Sequence, residues 1–295
     1  MRNIWHIAIL AALFVMVAGC KGGVGSKPVI AVSIQPQKWL LERIVGERIE
    51  VVSLLSQGSN PETYEPDMNH LMSLERSVAY FCIGNIGFEM AIVDKAQSNN
   101  PDIKIYNNSR GIKLICGTHE GVALQHSAEG HHHEVDPHVW TSVTNARVIA
   151  TNMCDAVCEL DARHCEFYKQ NLKALLEQLD ALDAEIRKTL DGCQGRAFVV
   201  WHPSLSYFAR DYGLQQIAME CEGKEIPAKL LKEEIDYAQQ TDAKVFFFQK
   251  EFDSRRVEAV NKQIGAKLVT INPMSYHWDD ELKNIANALR EAENN

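Results

Sequence analysis

Two hydrophobic patterns alternate along the chain from Pro28 onward. Short runs rich in β-branched residues are separated by amphipathic stretches, which is typical of parallel strands joined by crossover helices. A first helix fits between two such runs, from Pro36 to Gly46, because Pro is accepted in a first helical turn and Gly at a helix end. In the first half of the chain the pattern predicts four strands, at residues 29–34, 49–55, 78–84 and 103–108.

The middle of the chain changes to a long helical period. Residues 142–160 predict one helix with Ser142 as its N-cap. Residues 166–190 predict a longer helix with one apolar stripe, formed by Leu172, Leu175, Leu176, Leu179, Leu182, Ile186 and Leu190. At about 1.5 Å per residue this helix would be nearly 40 Å long. It could therefore run across both halves of the molecule.

The second half returns to alternating strands and helices. Strands are predicted at residues 196–201, 214–220, 243–249 and 266–272, and helices at 226–240, 253–265 and 279–293. The predicted fold class is α/β, with two lobes, each a mainly parallel sheet with flanking helices, joined by one long helix. We assign residues 28–160 to the N-terminal lobe, 161–192 to the connecting helix and 193–295 to the C-terminal lobe.

The N-terminus has the features of a targeting segment. Residues 1–19 combine a basic start with an apolar run that is too short to span a bilayer, as in a secretory signal peptide. The run ends in "VAGC", which resembles the lipobox of bacterial lipoproteins and implies lipidation of Cys20; the alternative is an ordinary signal with an incidental Cys. Residues 20–27 would then be a flexible tether. The expected location is extracytoplasmic, with the lipid anchor in a bacterial membrane.

Composition narrows the class of protein further. With 46% hydrophobic and 23% charged residues the chain is globular, and a net charge of -9 without a basic cluster excludes nucleic acid as an expected partner. Of the eight cysteines, Cys20 belongs to the lipobox, so seven remain. Export permits disulfides, but an odd number leaves at least one thiol free or paired between chains, and the pairing stays open.

Several side chains that bind metals follow the predicted strands. In open parallel sheets ligands gather at the carboxyl ends of strands. Glu62 and His202 follow predicted strands, and Asn272 and His277 follow the last one, while Asp136 and Pro137 hold the chain extended or in a turn just before His138. Each His could instead be a hydrogen-bonded structural residue. Imidazole together with carboxylate suits zinc or its first-row neighbours.

Five motifs, taken in order, carry a family resemblance: "GSNPETYEP", "DPHVW", "FYKQN" at the start of the long helix, "WHPSLSYFARDYGL" and "INPMSY". Over essentially the whole mature chain they resemble the cluster A-I solute-binding lipoproteins of zinc and manganese ABC importers. The resemblance implies two lobes of parallel sheet joined by a stiff helix, with one metal ion held between them. It also implies an ABC permease as the membrane partner and no catalysed reaction.

The resemblance puts His138 and His202 on the family's ligand positions. The first position, usually His, is here Glu62, and the fourth, usually Asp, is Asn272. Two imidazoles and a carboxylate form a set that zinc accepts. Asn272 offers only a neutral oxygen, so the fourth ligand could also be His277 or water. Zinc is the expected ligand, and Mn²⁺ or Fe²⁺ is the alternative, since manganese prefers more carboxylate oxygen.

A His-rich loop, residues 117–135, precedes the "DPHVW" motif. Its histidines could form an auxiliary metal site. These histidines are His119, His126, His131, His132 and His133. Gly and polar residues without a period predict a loop, and His-rich tracts bind metals weakly. Scavenging, sensing of excess metal and no role at all are the three alternatives.

The sequence therefore predicts a monomeric extracytoplasmic binding protein that captures Zn²⁺ and delivers it to a membrane permease. A zinc hydrolase is the main alternative from another class, because two His and one Glu with an open water position also describe catalytic zinc. However, no HExxH motif is present. The third alternative is a lipoprotein that binds other molecules, as an adhesin does, and whose metal ion only stabilises its structure.

Overall fold

The computed structural model of the protein describes residues 27–55, 64, 67–116, 135–221 and 224–293. The predicted Cys20, Glu62 and His-rich loop histidines lie outside these residues. The predicted fold class is confirmed: two four-stranded parallel sheets with flanking helices are joined by a long helix. Among the described helices, none is both long enough and apolar enough to cross a membrane.

The first lobe is built on a sheet with the strand order β2-β1-β3-β4. Its strands are β1 (Val29–Val32), β2 (Glu50–Ser53), β3 (Ala79–Cys82) and β4 (Lys104–Asn107), and its helices are α1 (Gln35–Val45), α2 (Met68–Glu75) and α3 (Gly87–Asn99). Each strand lies within its predicted segment. Gly46 ends α1 with a φ of 55°, a conformation that favours glycine, and its N–H bonds to the Glu42 carbonyl. The hydrophobic pattern of the sequence did not give bounds for α2 and α3.

Two consecutive helices lead from the first lobe towards the second. Helix α4 (Val143–Leu160) begins after Ser142, whose hydroxyl accepts a hydrogen bond from the Asn145 N–H, as predicted for the N-cap. Helix α5 (Cys165–Thr189) has 25 residues and packs against α4 and α1, and also against the C-terminal helix of the second lobe. A disulfide joins Cys158 to Cys165, so it closes the short turn between α4 and α5.

The second lobe is built on a sheet with the strand order β10-β9-β5-β6. Its parallel strands are β5 (Ala197–Val200), β6 (Gln215–Ala218), β9 (Val245–Gln249) and β10 (Lys267–Ile271), and its helices are α6 (Ser206–Tyr212), α7 (Ala228–Gln240), α8 (Ser254–Ile264) and α9 (Trp278–Glu293). An antiparallel pair, β7 (Glu220–Cys221) and β8 (Lys224–Glu225), follows β6. The strand predicted at 214–220 was therefore too long, because Glu220 already belongs to this hairpin.

The two lobes share a buried interior. One continuous cluster of apolar side chains extends from the first sheet through α4 and α5 to the second sheet. A smaller cluster covers the other face of the second sheet, under α7 and α8. Hydrogen bonds add to this contact: the Trp140 indole donates to the Pro273 carbonyl, and the Trp278 indole donates to the Trp140 carbonyl, at 3.1 and 2.7 Å. The two lobes are thus packed against each other, beside the cleft between them into which His138 and His202 point.

Candidate metal centre

His138 and His202 occupy comparable places in the two lobes. His138 stands between the first sheet and α4, directly before a short 3-10 turn formed by Val139–Thr141. His202 lies two residues after the last residue of β5, at the carboxyl edge of the second sheet. Both residues are almost completely buried, with 4% and 5% of their surface exposed. Each imidazole is therefore held by packing rather than free in solvent.

The two imidazoles meet across the cleft. The Nε2 atoms of His138 and His202 are 3.1 Å apart, and the ring centroids are 5.0 Å apart at an interplanar angle of 74°. An ion at the usual Zn–N distance of about 2.0–2.1 Å from both nitrogens would subtend an angle of about 100° between them, close to the tetrahedral value. The spacing thus fits two ligands of one metal ion.

A buried carboxylate lies behind each imidazole. Asp136 Oδ1 is 2.8 Å from His138 Nδ1, and Glu220 Oε1 is 2.6 Å from His202 Nδ1. Asp136 is fully buried and also accepts a hydrogen bond from the His138 backbone N–H. Burial by itself raises the pKa of Asp136, but the hydrogen bonds from the His138 side chain and backbone outweigh it and help to hold this pKa below its ordinary value. Asp136 therefore favours the ionised form.

These carboxylates determine which way the imidazole lone pairs point. A neutral imidazole has one N–H, and a carboxylate beside Nδ1 holds that proton on Nδ1. In both rings the Nε2 lone pair is then directed into the same 3.1 Å gap. Two lone pairs this close repel each other unless a cation lies between them or one ring takes up a second proton. The arrangement is suited to a cation, and carboxylates of this kind orient metal-binding histidines in proteins.

A small cavity opens at the two imidazoles. Its volume is ≈ 20 Å³, which is about the room that one water-sized ligand needs. Phe252 stacks on His202 with ring centroids 5.7 Å apart, and Trp140 packs on His138 at 5.1 Å. The remaining lining residues all come from the second lobe, and they are Ser204, Gln249, Glu251, Pro273 and Met274. An ion in this space would be largely shielded from water.

The structure places the two alternative fourth ligands away from this cavity. The Asn272 Oδ1 accepts a hydrogen bond from the Met274 N–H at 3.2 Å, and the side chain is not part of the cavity wall. His277 is exposed and packs edge-on against Tyr276. In the described part of the chain, no three His, Cys, Asp or Glu side chains already form a metal site.

Two tyrosines, Tyr207 and Tyr64, have identifiable hydrogen-bond partners. The Tyr207 hydroxyl donates to the Asp136 carbonyl at 2.7 Å and accepts from the Ile115 N–H at 3.1 Å, so it supports the backbone next to His138. The Tyr64 hydroxyl donates to the Leu54 carbonyl at 2.5 Å. Tyr207 thus belongs to the surroundings of the site, whereas Tyr64 holds the chain close to the end of β2.

Sequence reasoning missed Glu220 and Glu251. Glu220 follows β6, the strand beside β5, and Glu251 follows β9, the strand on the other side of β5. Glu251 comes just after a predicted strand, which is the signal that selected the other candidates, whereas Glu220 is the last residue of a predicted strand. Their proximity to His202 depends on the order of strands in the sheet, and that order could not be read from the pattern.

Comparison with known proteins agrees with this geometry. The family model described as "ZnuA: Zinc-uptake complex component A periplasmic" matches residues 30–292. The chain belongs to the ZnuA family. The family is described as a component of an uptake complex rather than an enzyme, which confirms the expectation of a non-enzyme against the zinc hydrolase. Its periplasmic description also agrees with the extracytoplasmic location.

Relatives of this ZnuA-family chain carry related descriptions. The zinc-binding lipoprotein AdcA of Streptococcus pneumoniae is 25% identical over 98% of this chain and 58% of its own length. A putative metal-binding protein of Treponema pallidum is 26% identical over 91% of this chain and 88% of its own. The chain thus spans little more than half of AdcA.

One solved structure extends the comparison to the fold. A ZnuA deletion mutant with zinc bound superposes with a TM-score of 0.81 at 34% identity, covering 90% of this chain and 98% of that chain. The two-lobed architecture is therefore the one found in a zinc-bound member of the family.

Proposed function

We propose that the protein is the extracytoplasmic substrate-binding component of a metal ABC importer, which captures Zn²⁺ between its two lobes and delivers it to a membrane permease. One observation carries this proposal: the Nε2 atoms of His138 and His202, one from each lobe, converge at 3.1 Å while carboxylates hold both Nδ1 atoms. The zinc-binding description of AdcA and the zinc-bound ZnuA structure support the choice of ion.

The proposed ligand set is Glu62 and His138 from the first lobe and His202 from the second. Two imidazoles and one carboxylate suit zinc, and the same set would bind Mn²⁺ less well because it contains little carboxylate oxygen. Asn272, proposed as a less certain fourth ligand, would first have to release the Met274 N–H from its side-chain oxygen. Mn²⁺ stays the alternative ion.

The attachment and assembly of the protein are also proposals. Lipidation of Cys20 would hold the binding domain at the membrane surface, within reach of a permease, and the domain would act as a monomer. AdcA is described as a lipoprotein, which supports the anchor. The histidines at residues 119, 126 and 131–133 would form an auxiliary loop that collects metal.

Zinc titration of alanine variants tests the proposal. His138→Ala and His202→Ala should each weaken zinc binding by more than the roughly 10–100-fold that loss of an outer hydrogen-bond partner costs. Glu62→Ala should do the same. His164→Ala is the matched control, because His164 bonds to Asp161 at the start of α5. Unchanged affinity in the His138 and His202 variants would refute the site.

A melting experiment separates transport from a structural role of the metal. A transport receptor should stay folded when a chelator removes the ion, because its lobes already share a buried apolar core. A structural metal site should unfold on chelation. Thermal unfolding with and without chelator, followed by circular dichroism, distinguishes the two readings.

A further inference from the structure

The hydroxyl group of Tyr207 joins the two lobes at the backbone of the metal site. Tyr207 belongs to α6 of the second lobe and is fully buried. Its hydroxyl donates a hydrogen bond to the carbonyl of Asp136 at 2.7 Å and accepts one from the N–H of Ile115 at 3.1 Å. Both partners belong to the first lobe. One phenol of the second lobe thus holds two backbone groups of the first lobe at a single point.

The carboxylate of Asp136 needs an accurate position because it interacts with two donors of one residue. Its Oδ1 atom accepts from the His138 N–H at 2.9 Å and lies 2.8 Å from His138 Nδ1. The Asp136 side chain has no exposed surface, so bulk water cannot replace either donor. The Asp136 N–H, for its part, donates to the Ile115 carbonyl at 3.0 Å. The backbone of Asp136 is therefore held by Ile115 at its N–H and by Tyr207 at its carbonyl.

The Tyr207 ring is itself fixed by a neighbour on the same helix. The guanidinium carbon of Arg210 lies 5.0 Å from the centre of the Tyr207 ring, within the range of a cation–π contact. Arg210 also donates to the Lys113 carbonyl of the first lobe at 3.1 Å. A side chain that is locked by packing places its polar group accurately. The phenol is thus a rigid spacer between the lobes.

Other hydrogen bonds between the lobes reach the chain on the far side of His138. The two indole hydrogen bonds described above involve Trp140, and the Ser142 hydroxyl bonds to the Asp211 carboxylate of α6. Trp140 and Ser142 follow His138 in the chain, whereas Asp136 precedes it. These bonds therefore do not replace the contact that Tyr207 makes with the Asp136 backbone.

We propose, on the basis of the zinc-binding function above, that Tyr207 is a positioning residue whose hydroxyl fixes the Asp136 backbone and thereby holds the Asp136 carboxylate against His138 Nδ1. The carboxylate in turn keeps the His138 Nε2 lone pair available to the ion. Because the hydroxyl and the carbonyl belong to different lobes, this support exists only while the lobes are in contact here. The zinc affinity of a ligand in the first lobe thus depends on a side chain of the second lobe that is bonded to backbone groups.

The test compares Tyr207→Phe with Tyr212→Phe in the complete protein. Both substitutions remove the hydroxyl of a buried tyrosine of α6, but the Tyr212 hydroxyl donates to Asp183 of α5 at 2.9 Å. Zinc affinity is measured by competition with a chromogenic chelator, and urea unfolding of the metal-free protein checks that each variant is folded. Tyr207→Phe should weaken zinc binding by about 3–10-fold, less than the roughly 10–100-fold expected for a direct partner of a ligand. Tyr212→Phe should leave zinc binding unchanged.

A double-mutant cycle with Asp136→Ala separates positioning from a general structural effect. If Tyr207 acts through the Asp136 carboxylate, adding Tyr207→Phe to Asp136→Ala should change zinc affinity by no more than about twofold. A merely structural role would instead weaken zinc binding in the double variant by the product of the two single factors.

Two outcomes would overturn the inference. One is a zinc affinity of Tyr207→Phe within about twofold of that of Tyr212→Phe, and the other is a multiplicative loss in the double variant. The comparison of the two tyrosine variants stands by itself if Asp136→Ala does not fold. His202→Ala, measured in parallel, keeps the two proposals apart. If His202→Ala binds zinc normally, the proposed function itself fails, whereas lost binding there beside an unaffected Tyr207→Phe refutes only the positioning role.

Discussion

Removal of the Glu220 carboxylate should weaken zinc binding although Glu220 cannot contact the ion in this geometry. Glu220 Oε1 is 2.6 Å from His202 Nδ1, and both side chains are buried. In Glu220→Ala the Nδ1–H loses this acceptor, so the ring can adopt the other tautomer, which puts a proton on the metal-facing Nε2. Loss of such outer partners typically costs about 10–100-fold in metal affinity, which equals about 1.4–2.7 kcal/mol.

The same substitution should also affect stability without metal. A buried donor left without this acceptor costs about 1–3 kcal/mol. Glu220→Gln separates hydrogen bonding from charge, because the amide oxygen can still accept from His202 Nδ1. This variant should keep most of the stability and lose less zinc affinity than the alanine variant.

Zinc titration against a chromogenic chelator, together with urea unfolding of the metal-free protein, measures both effects. Glu258→Ala is the control, since Glu258 is exposed on α8. If Glu220→Ala is folded and binds zinc within about twofold of the unsubstituted protein, the carboxylate does not orient His202 and the reasoning is refuted, because even the weak end of the expected range is about tenfold.

Two further predictions concern the turn between α4 and α5. Replacing Cys158 and Cys165 by Ser should lower the free energy of unfolding by about 2 kcal/mol, because the disulfide closes a short loop; an unchanged urea midpoint would contradict this. Burial raises the pKa of Asp161, but hydrogen bonds from Tyr168 and His164 outweigh this effect and lower the pKa below 3.8 in the folded protein. The ionised Asp161 carboxylate therefore stabilises the fold above pH 3.8, and this stabilisation is lost as the pH falls through the lowered pKa of the folded state. Asp161→Asn should therefore flatten the acid side of a stability–pH profile measured by chemical unfolding.

Local patterns predicted much of the fold. The helix expected at residues 166–190 is observed at Cys165–Thr189, and its buried positions include Leu175, Leu179, Leu182 and Ile186 from the predicted stripe. Ser142 caps α4 as expected. These features depend on contacts between residues three or four positions apart, so they can be predicted from the local sequence. The bounds of helix α3 were not predicted, and only a few of its residues are buried.

Sequence by itself determined that this is a two-lobed α/β protein, and its family resemblance predicted His138 and His202 as metal ligands. Only the tertiary structure decided that their Nε2 atoms meet, although the residues are 64 positions apart. It also decided that Glu220 lies behind His202 and that Glu251 lies at the cavity. Strand order and the packing of helices between the lobes determine these distances, and both arise from contacts between segments that are remote in the chain.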